Sequence, residues 1–439
     1  MKKLKTLIED RIPFYNNLVL PYHLGCAMIS GVKYGFPGRK LRVIGVTGTN
    51  GKTTTCFMIW KMLNMAGHKT GLMTTVGWGM PGMKGADAEG VIRQVEHMTT
   101  ADVGTLNQRI EQIRAEGAEF LVLEVTSHAM VQFRTLGIPI EIAVMTNVTH
   151  EHLDYHKTFD NYLAAKCKLF KKARFGVINS DDVAGVKFAE NIEEYITYGI
   201  KTGEMKAKEI KLSAEGVEYS CGDMRIKTQI PGKFNVYNSL AAVCVGKKLG
   251  LTDRQVERGI KALGGVEGRM NRVEAGQKFD VIVDYAHTPD AVQKVFDSVG
   301  GRAVKNFSGE GVKGRIITVT GGAGRRDETT RAERGEIVGE NSDIFVVTED
   351  DSRDEEPAEI AEMFVLGAEK AGMRRDENLF VELSRKKAIE KAIQMAQKGD
   401  LVLILGKGHE KTILRADGPH KFEDLKVTRE ILKKIKNKK

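Results

Sequence analysis

The run Leu41-Arg42-Val43-Ile44-Gly45-Val46, then Thr47 and Gly48-Thr49-Asn50-Gly51-Lys52-Thr53-Thr54-Thr55, decides how this chain is read. An apolar, β-branched strand enters a glycine-rich turn, and a helix-compatible stretch, Cys56 to Met65, leaves it. That is the strand–loop–helix context of a phosphate-binding loop. Glycines let backbone N–H groups curl around phosphate oxygens, and the helix N-terminus adds positive potential. Lys52 is positioned to reach the outer phosphates, and the Thr53 hydroxyl to ligate Mg²⁺. Val46 stands where the commonest spacing has its first glycine. The plain alternative is an ordinary glycine-rich turn.

At 439 residues the chain should hold two or three domains. No run of 18 uninterrupted apolar residues suggests a transmembrane helix. Lys2, Lys3 and Lys5 look like the start of a signal peptide, but Glu9, Asp10 and Arg11 interrupt the apolar run that should follow. The five cysteines, Cys26, Cys56, Cys167, Cys221 and Cys244, are scattered and form no Cys-x-x-Cys. That points to a reducing cytoplasm, away from a disulfide framework or a zinc ribbon. The net charge of +9 is concentrated in the tails: residues 1–40 carry +5 and residues 426–439 carry +6, leaving the body slightly acidic. A nucleic-acid-binding face is therefore not expected. Solvated tails are the preferred reading, with weak attraction to an anionic membrane surface as the lesser one.

Apolar runs alternate with helical patterns, which predicts an α/β protein with mostly parallel sheets. Strands are expected at 41–46, 120–125, 142–146, 175–178, 280–284, 315–320, 344–348 and 401–405. Residues 203–230 read as small antiparallel strands. Glycines near 264–268 suggest a boundary. The expected layout is a short N-terminal segment (1–40), a central nucleotide-binding domain (41–266) and a C-terminal Rossmann-like α/β domain with a basic tail (267–439). About 40 residues before the first strand are too few for an independent core. Within them Phe14 to Phe36 is apolar enough for a helix covering the sheet, or, less favoured, for an interfacial helix.

Three further features carry chemistry. Phe120-Leu121-Val122-Leu123-Glu124 ends an apolar strand in a carboxylate, where α/β proteins hold a nucleotide's Mg²⁺; a surface acid is an equal reading. Three of the ten histidines, His150, His152 and His156, fall within seven residues after another apolar strand. A zinc site is conceivable there, though no acid or cysteine spacing supports it. Lys166 follows Ala164 and Ala165 in the helical stretch 159–170. If buried it would lose its proton readily, and a neutral amine captures CO₂ as a carbamate. A surface lysine is the commoner outcome.

Together the motifs resemble the ATP-dependent Mur ligase family, and within it the members that add the third residue of the peptidoglycan stem peptide. The matching blocks are Gly48 to Thr54, Thr99-Thr100-Ala101-Asp102, Glu124-Val125-Thr126-Ser127-His128 with Gln132 and Arg134, and His152-Leu153-Asp154-Tyr155-His156. They continue through Ala164-Ala165-Lys166, Phe234-Asn235-Val236-Tyr237-Asn238 and Gly268-Arg269-Met270. Asp284-Tyr285-Ala286-His287-Thr288-Pro289-Asp290 and Gly406-Lys407-Gly408-His409-Glu410 close the series. They run in family order across roughly residues 41–425.

The resemblance implies a role for each position. Gly48, Thr49, Asn50, Gly51, Lys52, Thr53 and Thr54 would hold ATP, with Asn235 and Asn238 near the adenine and Arg269, Asp284 and His287 reaching the nucleotide. Thr53, Glu124, His152 and Lys166 (as its carbamate) would hold or position Mg²⁺. Lys52, Glu124, His152 and Lys166 form the implied catalytic set. Thr99, Thr100, Thr126, Gln132 and Arg134 would contact a muramyl-peptide acceptor. The amino acid would meet Arg326, Asp350, Asp351, Arg353, Gly406 and Glu410. Diaminopimelate-adding members carry Asp-Asn-Pro-Arg where this chain has Asp350-Asp351-Ser352-Arg353. The retained arginine favours diaminopimelate over lysine. Family members normally open with a uridine-nucleotide-binding domain of about a hundred residues, which the short front leaves no room for. The implied reaction phosphorylates the D-Glu side-chain carboxylate and passes it to an amine, with domain closure completing the site. The alternative is a ligase of the same fold with another acceptor, of the folylpolyglutamate synthetase kind. Small-molecule substrates, a cytoplasmic location and a monomer complete the expectation.

Overall fold

The computed structural model describes residues 19–81, 91–94, 98–213, 215–299 and 314–436. The chain divides into two compact units, one mainly from residues 19–208 and 237–262, the other mainly from 263–436; the segment 209–236 is shared out between them.

The first unit is a nine-stranded sheet in the order β4-β3-β2-β5-β1-β6-β7-β8-β9. Its strands are β1 (Arg42–Thr47), β2 (Thr70–Met73), β3 (Gly77–Gly79), β4 (Val91–Arg93), β5 (Phe120–Glu124), β6 (Ile140–Met145), β7 (Ala173–Asn179), β8 (Tyr195–Gly199) and β9 (Met205–Lys206). Only the β2–β3 and β3–β4 pairs are antiparallel. The central strand β1 is bracketed by parallel β5 and β6, with Val46 level with both Glu124 and Val144. Every residue of β5 is buried, as expected of a strand covered on both faces. The helix Lys52–Met65 is buried continuously from Thr53 to Leu63, so it lies inside the unit and shows no amphipathic pattern. A small three-stranded sheet follows: β10 (Lys208–Ser213), β11 (Gly216–Cys221) and β12 (Met224–Thr228).

The second unit holds a six-stranded sheet, β13-β14-β18-β15-β16-β17, parallel except at the β13 edge. Its strands are β13 (Asn271–Arg272), β14 (Asp280–Asp284), β15 (Ile316–Thr320), β16 (Ile344–Val347), β17 (Leu379–Val381) and β18 (Leu401–Leu405). Strand alternation sorts its side chains into two cores. Ile282, Ile316, Phe345, Val347, Leu401, Leu403 and Leu405 face one helical layer. Val281, Val283, Ile317, Val319, Val346, Val402 and Ile404 face the other. A hairpin of β19 (Thr412–Arg415) and β20 (Gly418–Lys421) leads into the helix Asp424–Lys436.

All eight expected strands are present within a residue or two. The expected apolar N-terminal helix is Leu20–Lys33, but Ser30 ties it to the helix Val103–Ala115, so it lies on that helix; residues 14–18 and the basic stretch before them lie outside the described residues.

One buried ion pair fixes the end of the second unit. Arg385 gives Nε and one terminal nitrogen to the two Asp424 oxygens, at 2.8 and 2.7 Å, with both side chains fully buried. The same guanidinium donates to the carbonyls of Leu405 and Glu349. Asp424→Ala strands that charge in the interior, and is expected to cost about 3–5 kcal/mol of stability in chemical denaturation.

Candidate active site

The β1–β5–β6 register brings three strand ends to one edge of the first sheet, and the expected residues gather there. The loop Gly48–Gly51 is sewn to the segment after β6. Asn50 N–H donates to Asn147 Oδ1 (3.0 Å), and Asn147 Nδ2 and Thr146 Oγ1 both donate to Asn50 O. Thr49 Oγ1 donates to Thr149 O, accepts from Thr149 N–H and lies 2.9 Å from Tyr162 OH. Gly48 and Gly51 adopt φ of 146° and 83°. A Cβ on Gly48 would overlap Thr146 Oγ1, and one on Gly51 would overlap Asn238 Oδ1, so both glycines are required by space as well as conformation. Asn238 also accepts from Thr55 Oγ1 (3.3 Å), which seats it on the helix that leaves the loop. Asn235 is fully buried and donates to Pro231 O.

Two lysines converge on the loop. Lys52 donates to Thr49 O at 2.7 Å and Lys166 to Gly48 O at 2.6 Å. Lys166 is 2% exposed, with Nζ 4.4 Å from the centre of the Tyr162 ring. It is no surface lysine: burial first, then the Lys52 charge, hold its ammonium well below the usual lysine range. Glu124 is equally buried, and one of its oxygens accepts from Thr53 Oγ1 (3.0 Å), Thr75 N–H (3.0 Å) and Thr75 Oγ1 (3.1 Å). A hydroxyl and a carboxylate sharing a buried spot are hard oxygen donors of the kind Mg²⁺ takes. Thr54 is buried on the same first helical turn.

The histidine-rich loop forms a ring cluster. His152, at φ 58°, meets His128 edge-on at 4.8 Å between centroids, and His128 also packs on Tyr155 (4.2 Å) and His156 (5.4 Å). His156 pairs with Ser127 Oγ at 2.9 Å, and burial, then neighbouring His152 and Lys166, lower it to about 4. It is therefore a neutral ring at pH 7. His150 stacks on Phe159. No zinc-type cluster forms here among the described residues.

The expected acceptor residues form one network. Thr100 Oγ1 donates to Glu124 O (3.0 Å) and lies 3.3 Å from Thr126 Oγ1. Arg134 donates to Thr100 O and, through Nε at 3.1 Å, to Gln132 Oε1. Gln132 reaches Tyr155 OH. Thr99 is half-buried beside Thr100.

In the second unit, Asp284 at the end of β14 accepts from Met270 and Ala286 N–H, both at 2.7 Å, and burial raises its carboxyl. The Arg269 guanidinium lies over the Tyr285 ring (4.6 Å), and His287 Nδ1 lies 2.8 Å from Tyr285 O. These three expected residues therefore share one place. Beside them in the fold, where Gly406 N–H donates to Asp284 O, Lys407 is fully buried and donates to Asp350 (3.2 Å), Asp351 (2.7 Å) and Glu410 (2.5 Å). Burial opposes ionisation of Asp350 but Lys407 and Arg385 overcome it, whereas burial and Asp350 raise Asp351. Asp351 also accepts from Leu414 N–H. Gly406, at φ 112°, leaves the space that a side chain would take from Asp350. Arg353 is lowered by burial and then by Arg326, which marks those two arginines as neighbours in charge. Arg325 instead pairs bidentately with Asp354, while the Arg326 charge acts on both Arg353 and Tyr285.

The comparisons agree with this layout. A family model described as "Mur ligase middle domain" matches residues 46–246, and "Mur ligase, glutamate ligase domain" matches residues 268–408. A UDP-N-acetylmuramoyl-L-alanyl-D-glutamate–2,6-diaminopimelate ligase of Clostridium acetobutylicum is 37% identical over 410 residues, spanning 92% of this chain and 80% of its own. The chain belongs to the Mur ligase family. A solved structure titled as a ligase of that same name aligns with a TM-score of 0.59 at 28% identity, over 90% of this chain and 79% of its own. A Mycobacterium tuberculosis folylpolyglutamate synthase complexed with ADP aligns with a TM-score of 0.70 over 93% and 95%, at 16% identity, a likeness of fold alone.

Sequence reasoning passed over Thr75, Tyr162, Asn147 and Lys407 as site residues. Lys407 stood inside a quoted motif, and its Gly-Lys-Gly setting was the available signal. The other three had none. Gly48→Ala is expected to lower affinity for ATP about tenfold or more by displacing the loop, while the melting transition moves far less; calorimetric titration alongside thermal unfolding checks it.

Proposed function

We propose that the chain is an ATP-dependent ligase that joins a diamino acid, meso-diaminopimelate in preference to L-lysine, to the D-Glu side-chain carboxylate of a muramyl-dipeptide acceptor. The observation that carries this reading is the convergence of Lys52, Thr53, Glu124 and Lys166 on the loop Gly48–Gly51, beside the network of Thr100, Thr126, Gln132 and Arg134.

ATP binds with its phosphates along the loop N–H groups and Lys52. The acceptor carboxylate, oriented by Arg134 and the two threonines, attacks the γ-phosphorus and releases ADP. The acyl phosphate is then attacked by the amine, and the tetrahedral adduct expels phosphate to leave an amide. Lys52 offsets the repulsion between two anions that must touch. Mg²⁺, for which Thr53 and Glu124 offer fitting oxygens, supplies further charge neutralisation when bound. Lys166 deepens that reading. With its ammonium destabilised, the neutral amine adds to CO₂ and sheds a proton, giving a carbamate oxygen donor directed at the same loop. His152 supports it from the adjoining ring cluster. Asn235, Asn238, Arg269, Asp284 and His287 serve the nucleotide. Arg353 and Arg326 take the distal carboxylate that diaminopimelate has and lysine lacks, while Asp350, Asp351 and Glu410, already holding Lys407, line the place beside them and Gly406 leaves Asp350 its room.

The folylpolyglutamate-type alternative has less support. Its likeness is one of fold, whereas diaminopimelate ligases share sequence over most of the chain. Phosphate release from ATP tests the two. It should require both UDP-MurNAc-L-Ala-D-Glu and diaminopimelate; no release with either diaminopimelate or L-lysine, in a protein that still binds ATP, would point to another acceptor. Arg353→Ala should raise KM for diaminopimelate about a hundredfold and leave that for ATP unchanged. Lys166→Ala should abolish ligation, with partial rescue by a short carboxylic acid; full activity would sink the carbamate.

A further inference from the structure

The helix Leu20–Lys33 is turned inside out relative to an ordinary surface helix. Its inward side is small or polar: Ala27, Ser30 and Gly31 are buried. Ser30 Oγ donates to Val103 O and accepts from Asn107 Nδ2, both at 3.0 Å. A Cβ on Gly31 would overlap the Phe36 ring, so the helix is also held closely at its C-terminal end. Its outward side carries the large apolar residues. Tyr22 is 69% exposed, Met28 49%, Ile29 71% and Val32 69%. Tyr22 and Ile29 lie two turns apart, and Val32 follows Ile29 by three and Met28 by four, so these side chains share one face as a stripe. A stripe of this kind on a surface marks an interaction site.

Charge says what covers it. Lys33, Arg39 and Lys40 are exposed beside the stripe. Residues 19–40 hold no Asp or Glu, and the acid that acts on Lys40 is Glu111 of the helix Val103–Ala115. Apolar side chains flanked by cations match an anionic bilayer surface: the stripe enters the acyl boundary and the cations meet head groups. The helix is too short to cross a membrane, and no described helix is long and apolar enough to do so.

We propose that the helix Leu20–Lys33 is an interfacial helix that docks the first unit on an anionic membrane surface. Its anchor point sharpens the meaning. Val103, to which Ser30 bonds, directly follows Thr99-Thr100-Ala101-Asp102, so the docked helix is tied to the residue that ends the acceptor segment. Where that segment holds the acceptor, as the function above has it, the acceptor is received at the bilayer surface.

The test is co-sedimentation of the full chain with vesicles of phosphatidylcholine alone or mixed with phosphatidylglycerol. Wild type should bind the mixed vesicles and release them at high salt. Ile29→Glu with Val32→Glu should lose binding, and Lys33→Gln with Arg39→Gln and Lys40→Gln should weaken it about a hundredfold. Neither set should alter melting or ATP-driven ligation in solution, which keeps this test separate from the functional reading. Undiminished vesicle binding by the Ile29/Val32 variant would assign the attraction to basic tails and overturn the proposal. So would a wild-type dimer in light scattering that the same variant dissolves, since a second copy would then cover the stripe. Absence of vesicle binding by wild type overturns it as well.

Discussion

Both large sheets are covered on both faces, and that single constraint decides where polar chemistry can go. A strand such as β5, buried along its whole length, offers no face to a ligand. Its functional group has to sit at the tip, as Glu124 does. The parallel register then aligns tips from different strands: Val46 of β1 is level with Glu124 of β5 and Val144 of β6. The loop Gly48–Gly51, the carboxylate and the Thr146–Thr149 segment are thus brought together by backbone pairing before any side chain contributes. The second unit follows the same rule with Asp284 and Gly406 at the ends of β14 and β18, joined by a backbone hydrogen bond.

The burial of Lys166 depends on this arrangement. Its ammonium is shielded by its own helix and accepted by Gly48 O, a carbonyl from a loop more than a hundred residues earlier. Tyr162, one turn before it, presents its ring to the amine and its hydroxyl to Thr49. The loop glycine, the tyrosine and the lysine therefore hold one another in place. Change in any of them reaches the other two.

What the sequence disclosed follows from what is local in it. The phosphate loop was legible because its glycines, lysine and threonines are contiguous and their backbone requirements are intrinsic. The eight apolar strands were legible because β-branched runs of five or six residues have few other uses. By contrast β2 and β3, Thr-Gly-Leu-Met and Gly-Trp-Gly, are too short and glycine-rich to carry a pattern, and exist because β5 and then β2 offer an edge. Thr75 could not be foreseen as a partner of Glu124, since only the fold joins them. From spacing alone Lys166 read most readily as a surface residue, for the same reason; the small neighbours Ala164 and Ala165 hinted at close packing, and the family resemblance, not its own surroundings in sequence, gave it a role.

The clasp of Lys407 by Asp350, Asp351 and Glu410 has a consequence for selectivity. These carboxylates already hold a cation of their own, at full burial and short range. An arriving ammonium gains only the difference between its own contacts and those it takes from Lys407. A bare positive charge is then a poor password for this cluster, because the protein already supplies a copy of it. Discrimination shifts to whatever the internal lysine cannot imitate: the shape and negative charge of a group offered to the neighbouring arginines.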